Sequence, residues 1–389
     1  MKTSIIKKRD NFLVFALPLI GDDEIEEVVK TLKSGWLGSG PKVAQFEEDF
    51  RKYRNADYAV ALSSCTAALH LSLITAGVTV GDEVITTPFT FCATVNAIIH
   101  AGGTPVLADI DPQTLNIDPK EILKKITPKT KAIIPVHFAG RPCEMDEIME
   151  IAKKHNLVII EDCAHAIETE YKGQKAGTIG DLGCFSFYVT KNIVTGEGGM
   201  VLTHNKEFAS RIKTLGLHGM SKDAWKRFGD DGYKHYQVVE CGFKYNMMDI
   251  QASIGIHQLK KVDEYWKRRE EIWFRYMDEL QNLPIILPLN SADNTKHGYH
   301  LFTIMIEKEK CGYSRDEFIE KLKEYNIGIG VHYMSIPEHP YYQKTFGWQP
   351  ETTPHAMQAG RATISIPLSA KLTDTDVSDV IAAIQDIFA

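Results

Sequence analysis

Apolar and polar positions in the middle of the chain fall into two alternating patterns. Short runs that are apolar at nearly every position are separated by longer stretches with helical spacing. The short runs are Asp57–Leu62 (DYAVAL), Glu83–Thr87, Thr104–Ile110, Lys131–His137 (KAIIPVH) and Leu157–Glu161 (LVIIE). Continuous apolar character over so few residues predicts strands covered on both faces. Between them, Ala67–Ala76, Cys92–His100, Pro119–Lys125 and Glu144–His155 predict helices. Strands and helices of these lengths in alternation predict a mostly parallel α/β sheet.

The rhythm changes after Asp181. Cys184–Tyr188 (CFSFY) and Gly199–Thr203 (GMVLT) read as strands separated by ten residues. That is too few for a helical crossover, so the two are expected to be antiparallel neighbours. A helix follows over Glu207–Leu215, and Met248–Leu280 is a long, charge-rich helical stretch. Beyond it, Tyr299–Ile306 predicts a strand, and Ser314–Tyr325 and Thr373–Phe388 predict helices. The pattern predicts a large α/β domain over 1–260 and a smaller α+β domain over 261–389, joined through the charged helix. No internal repeat or low-complexity tract is present.

Composition narrows the class. The 389 residues are 44% hydrophobic and 24% charged, which is globular usage and enough chain to bury a core without staples. The formal net charge of −7 argues against a general nucleic-acid binder, which presents a basic face. It leaves room for a local cationic pocket. Seven cysteines are scattered with no CxxC pair, so neither a disulfide framework nor a zinc ribbon is expected. They fit a reducing cytoplasm. Lys7, Lys8 and Arg9 precede an apolar run from Phe12 to Ile20, which superficially resembles a leader peptide. Asp10 and Asn11 intervene, Pro18 interrupts the run, and no small-residue cleavage pattern follows. No run of 18 or more apolar residues predicts a membrane span.

The sharpest candidate chemistry lies between residues 157 and 200. The LVIIE strand leads into Asp162, and a carboxylate at the C-terminal end of a parallel strand faces the crevice where such sheets bind ligands. Ser186, Lys191 and Thr195-Gly196-Glu197-Gly198-Gly199 follow. A lysine in an apolar site has a lowered pKa, which frees its amine to form a Schiff base. An acidic side chain on the sheet can pair with a pyridinium nitrogen, and Asp with Lys is the pairing that pyridoxal 5′-phosphate (PLP) needs. Taken singly, a solvated loop lysine and a turn-capping aspartate explain these residues as well, and spacing leaves both readings open. Ser63-Ser64-Cys65-Thr66 opens a helix directly after a strand. Such N-termini bind phosphate or are ordinary caps. An aromatic in Pro88-Phe89-Thr90-Phe91 could stack on a flat ring or pack in the core.

The ordered motifs resemble one family. Ile160 to Ala166 (IEDCAHA), Phe185 to Asn192 (FSFYVTKN), Thr195 to Met200, Ser34-Gly35-Trp36-Leu37, Gly40 to Val43, Thr66 to His70 and Gly242 to Ile254 (GFKYNMMDIQASI) are similar to the DegT/DnrJ family of nucleotide-sugar aminotransferases. Val331-His332-Tyr333 and Ser365 to Leu368 match late motifs, and the resemblance runs from about Ala16 to Ile387.

The resemblance implies a fold-type I, aspartate aminotransferase-like architecture, with active sites shared across a homodimer. It implies that Lys191 carries PLP as a Schiff base and that Asp162 keeps the ring nitrogen protonated. Phe91 would stack on the ring, and Ser186 with the backbone of Cys65 and Thr66 would bind the phosphate. His165 falls where the family has His or Gln beside the ring, His being typical of members that aminate sugar carbon 4. Two positions depart from the pattern. Lys244 stands where many members have an Asn that reaches the phosphate from the partner subunit, and Cys65 replaces the usual Gly. Lys191 itself sets the chain apart from the dehydratase branch, which has His there.

His332 and Tyr333 are implied contacts for sugar hydroxyls. Lys222 and Arg227, in a loop with Lys226 and Trp225, are candidates for pyrophosphate or uracil, although composition favours a solvated charged loop. The implied reaction moves an amino group from L-glutamate, through pyridoxamine 5′-phosphate (PMP), to a nucleotide-linked keto sugar. The expected acceptor is a UDP-4-keto-6-deoxyhexose, giving a 4-amino sugar for glycan or lipopolysaccharide synthesis. No metal, nucleic acid or membrane partner is expected. The alternatives are a 3-keto-sugar aminotransferase and a non-catalytic protein that binds PLP and sugar nucleotide. A nicotinamide-dependent enzyme is disfavoured, because no GxGxxG follows the first strand.

Overall fold

The apolar runs pair into one sheet. The computed structural model describes residues 8–221 and 236–389. Two helices, α1 (Asp22–Ser34) and α2 (Pro41–Arg54), come first. The chain then alternates through β1 (Tyr58–Leu62), α3 (Cys65–Thr75), β2 (Glu83–Thr86), α4 (Cys92–His100), β3 (Thr104–Leu107), α5 (Pro119–Lys125), β4 (Thr130–Ile134), α6 (Met145–His155) and β5 (Val158–Asp162). A small hairpin, β6 (Glu170–Tyr171) and β7 (Gln174–Lys175), leads to β8 (Leu182–Ser186), β9 (Gly199–Thr203) and α7 (Lys206–Leu215).

The sheet order is β1-β9-β8-β5-β4-β2-β3. Strands β3, β2, β4, β5 and β8 run parallel to one another, and β9 runs antiparallel to both β8 and β1. The short connection after β8 therefore makes the antiparallel pair expected from its length. Because two antiparallel steps separate β1 from β8, the two run the same way. The C-terminal ends of β1, β5 and β8 consequently meet along one rim, which is where ligands bind on open α/β sheets.

The helix α8 (Asp249–Leu280) joins two cores. Its first half buries Ala252, Ile256, Leu259 and Val262 with Phe46, Phe50, Phe185 and Phe187. Its second half buries Ile272, Trp273, Tyr276 and Leu280 in a separate cluster. That cluster is built on β11 (Phe302–Met305), paired antiparallel with β12 (Thr363–Ile366). The remaining C-terminal elements are β10 (Thr295–Lys296), α9 (Lys308–Cys311), α10 (Arg315–Glu324), α11 (Pro340–Phe346), α12 (Pro354–Ala362) and α13 (Asp374–Ile387). The division expected at residue 260 thus falls inside one continuous helix.

Asp249 ties the start of α8 to α2. Its carboxylate accepts from the backbone N–H groups of Gly40 (2.7 Å), Lys42 (3.1 Å) and Val43 (3.0 Å), orphan donors at a helix N-terminus. Among the described residues, no helix is long and apolar enough to cross a membrane.

Candidate active site

Three strand ends and one loop build the site. The loop between β8 and β9 carries Lys191. It is pinned by backbone bonds from Lys191 to Tyr188, Thr195 to Phe187 and Phe187 to Gly198, each 2.9 Å. Asn192, the next residue, is held on three sides. Its amide donates to Glu168 (2.7 Å) and to the Gly298 carbonyl (2.9 Å), and its Oδ1 accepts from His300 Nδ1 (2.9 Å). Enclosure of the Lys191 amine lowers its pKa to about 8, with Cys65 and Asp162 opposing the shift.

Asp162 closes β5 and is buried. Its Oδ2 accepts from Thr94 Oγ1 (2.8 Å) and its Oδ1 from Ala164 N–H (3.1 Å). Burial raises its pKa, and these two donors and Lys191 work the other way. Thr94 in turn lies 2.9 Å from Thr90 Oγ1. Since a carboxylate only accepts, Thr94 donates to Asp162 and accepts from Thr90.

The neighbouring Glu161 points into the opposite layer. Burial disfavours its charge, but His137 (2.9 Å) and the amides of Gly177, Ile179 and Gly180 (2.7–2.9 Å) outweigh that, so its pKa is lowered. His137, Glu161 and Cys163 bring donor atoms within 4.8 Å of one another. However, His137 Nδ1 accepts from Cys143 N–H (3.1 Å), so its proton sits on Nε2 and faces Glu161. Neither ring nitrogen keeps a free lone pair for a cation. The cluster is a brace behind Asp162.

The third contribution is the N-terminus of α3. Ser64 caps it, with Oγ accepting from Ala67 N–H (3.1 Å). The Cys65 thiol turns toward the sheet, 3.5 Å from the Cys184 carbonyl, so it leaves the helix end open where the family usually has Gly. Gly199 makes the approach possible, since a Cβ there would overlap the Ser64 carbonyl and the Cys65 nitrogen.

These elements surround a cleft of about 530 Å³. It brings together Cys65, Thr66, Phe91, Asp162, His165, Ser186, Lys191, His332 and Tyr333. Lys244 is elsewhere. It lies exposed at the surface with its ammonium 2.5 Å from Asn246 Oδ1. Lys222 and Arg227 lie outside the described residues. Sequence reasoning missed Thr94 and Tyr188, which also line the cleft, as does Glu197 of the Thr195–Gly199 run. The Thr90/Thr94 spacing of one helical turn was the only available signal for the first.

A model of the DegT/DnrJ/EryC1/StrS aminotransferase family matches residues 18–385. The chain belongs to that family. It is 50% identical over 384 residues to the spore coat polysaccharide biosynthesis protein SpsC of Bacillus subtilis (strain 168), covering 98% of this chain and 99% of that protein. It is 52% identical over 379 residues to the uncharacterized protein MJ1066 of Methanocaldococcus jannaschii, covering 97% and 98%. Among solved structures, Spr1654 from Streptococcus pneumoniae, a candidate sugar aminotransferase, superposes in its PMP form with a TM-score of 0.91. The identity is 34%, over 96% of this chain and 98% of that one. Its PLP form gives a TM-score of 0.89 at 33% identity, over 96% and 99%.

The chain is therefore a sugar aminotransferase of fold-type I architecture, the class whose chemistry runs on PLP. The cleft suits that cofactor on its own terms. It offers an amine of lowered pKa, a buried carboxylate, an open helix N-terminus and the Ser186 hydroxyl.

Proposed function

We propose that this aminotransferase moves an amino group from L-glutamate to a UDP-linked 4-keto-6-deoxyhexose, using PLP held in the cleft around Lys191 and Asp162. One observation carries the reading. An amine lowered to about pKa 8 shares a single cleft with a buried carboxylate at the end of a parallel strand. Lys191 would hold the cofactor through its amine, and Asp162 would face its ring nitrogen. Phe91 would lie against the ring with His165 beside it. Ser186 and the first amides of α3 at Cys65 and Thr66 would take the phosphate, as helix N-termini do for anions.

When bound, PLP supplies an electron sink for the charge left on the donor's α-carbon. The chain's own residues do the rest. Once the donor's amine has taken its place on the cofactor, the freed Lys191 amine, its pKa lowered by enclosure, would accept a proton from the donor carbon and release it again. The pinned loop keeps that amine beside the reacting atoms, which makes the transfer effectively intramolecular. Asp162 contributes negative charge at the closed end of the cleft, and Thr94 and Ala164 N–H keep it oriented.

His332 and Tyr333 would contact the sugar, His332 being steadied by Ser365 Oγ at 3.0 Å. Lys222 and Arg227 would meet the pyrophosphate or uracil. Lys244 would reach the neighbouring subunit's phosphate in a homodimer, and the two cores joined by α8 would act as separate domains. The name of SpsC, spore coat polysaccharide biosynthesis protein, supports a sugar acceptor bound for a surface polysaccharide. The test is chemical. Protein incubated with PLP and reduced with borohydride should carry one cofactor mass on the peptide containing Lys191, and Lys191→Ala should carry none. Label on another lysine overturns the assignment.

A further inference from the structure

One hydrogen bond in the cleft has a direction that the surrounding atoms impose. Ala139 N–H donates to His165 Nδ1 at 3.2 Å. A backbone amide cannot accept, so Nδ1 bears no proton. Burial, with Lys191 nearby, holds the His165 pKa well below its ordinary value, so the ring is neutral. A neutral imidazole with a bare Nδ1 carries its hydrogen on Nε2. Nε2 lies 3.1 Å from the Tyr333 hydroxyl oxygen, which must therefore accept.

The consequence falls on Tyr333. Its oxygen is engaged, but its own hydrogen has no acceptor among the described residues. The phenol also stays protonated, because burial pushes its pKa up. The ring is fixed in place. It stacks on His165 at 6.1 Å and 15°, meets Phe138 edge-on at 6.2 Å, and lies 6.0 Å from Phe91. The residue lines the same cleft as Lys191 and Asp162.

We propose that Tyr333 is a one-way hydrogen-bond donor to an oxygen bound in the cleft, and that His165 is the positioning residue that imposes the direction. The matching ligand chemistry is an acceptor oxygen, either the carbonyl of the keto sugar or a phenolate oxygen on the cofactor ring. The inference rests on the reaction taking place in this cleft. A tyrosine that could turn its hydrogen to either side would serve donors and acceptors alike. One locked by His165 favours acceptors, and it does so most where the oxygen is or becomes negatively charged.

Tyr333→Phe keeps the ring and removes the donor, and the test has two arms. In the holoenzyme without sugar, the visible spectrum is followed against pH. A shift of the band or of its titration midpoint supports the donor, with the cofactor oxygen as its target. In single turnovers, L-glutamate and a UDP-linked 4-keto-6-deoxyhexose are supplied separately. An unchanged spectrum and glutamate step, with the sugar step slowed about 10- to 100-fold, support the donor with the sugar oxygen as target. If both arms stay within twofold of the parent, the proposal is overturned. A second measurement needs no variant of Tyr333. In long-range proton–nitrogen spectra of histidine-labelled protein, His165, assigned through His165→Gln, should be the neutral Nε2–H tautomer at pH 7. The Nδ1–H tautomer or an imidazolium overturns the proposal. Loss of the Lys191 attachment would instead sink the proposed function, whatever Tyr333 does.

Discussion

A lysine amine with a pKa of about 8, against an ordinary 10.5, sets a pH dependence that free lysine would not show. Only the uncharged amine attacks a carbonyl. Below the folded-state value, its fraction falls tenfold per pH unit. Capture of PLP by the cofactor-free protein should accordingly quicken about tenfold per unit up to pH 8 and level off above. Stopped-flow absorbance between pH 6 and 9.5 reads this directly, and a slope still rising at pH 9.5 would mean an unperturbed lysine. The same shift disfavours the folded, cofactor-free protein. That cost is fully present below about pH 8 and gone above about 10.5. At this scale Asp162 and Ser186 were readable as the ends of apolar strands and Lys191 as a lysine in the polar loop between two of them, while their roles came from the family resemblance. Thr94 had no signal beyond its spacing from Thr90. Its role depends on α4 meeting the end of β5, a contact between residues 68 positions apart. The His165 tautomer was hidden for the same reason, since the Ala139 amide that fixes it comes from another turn.

Helix α8 is tied to the segment after β5 by buried charge. Arg269 donates to Glu168 at 2.5 Å, both side chains are buried, and Glu168 also holds Asn192 beside Lys191. Arg269→Met leaves that carboxylate buried without its cation, which should cost about 3–5 kcal/mol. The loss should appear as a lower midpoint in chemical denaturation. Adding Glu168→Gln should recover most of it, and equal instability of the single and double variants would show that the pair is not coupled. The parallel strands and their helices were legible at this scale, because their apolar periods differ so clearly. Helices α1 and α2 were not read. In α1 the hydrophobic pattern is inverted. It buries Glu24, Glu27 and Thr31, with Glu24 bonded to Lys261 and Gln258, while Ile25, Val29 and Leu32 face outward. Strand β12 was also missed as a strand, since its partner β11 lies some sixty residues earlier.

The whole molecule presents two features that a single chain does not use. Ile25, Val29, Leu32 and Trp36 are exposed along and just beyond α1, and Lys244 stands outside its own cleft. A homodimer in which Lys244 serves the neighbouring site makes a specific prediction. Lys191→Ala and Lys244→Ala should each be impaired alone, whereas co-expressed hybrids should regain activity. One of the two sites in each hybrid then combines an intact Lys191 with an intact Lys244 from the other chain. Activity no greater than the sum of the separate variants would place Lys244 outside the partner's site. Sheet order was not legible, because β1 pairs with β9, Tyr58 with Thr203 and Leu62 with Gly199, and nothing in its five residues names so distant a neighbour.

The most direct measurement of the central claim is an absorption spectrum of the purified protein with PLP, before and after L-glutamate. A visible band should form, fade when glutamate is added, and return when a UDP-linked 4-keto-6-deoxyhexose follows. A protein that forms no band, or whose band glutamate leaves unchanged, would contradict the account.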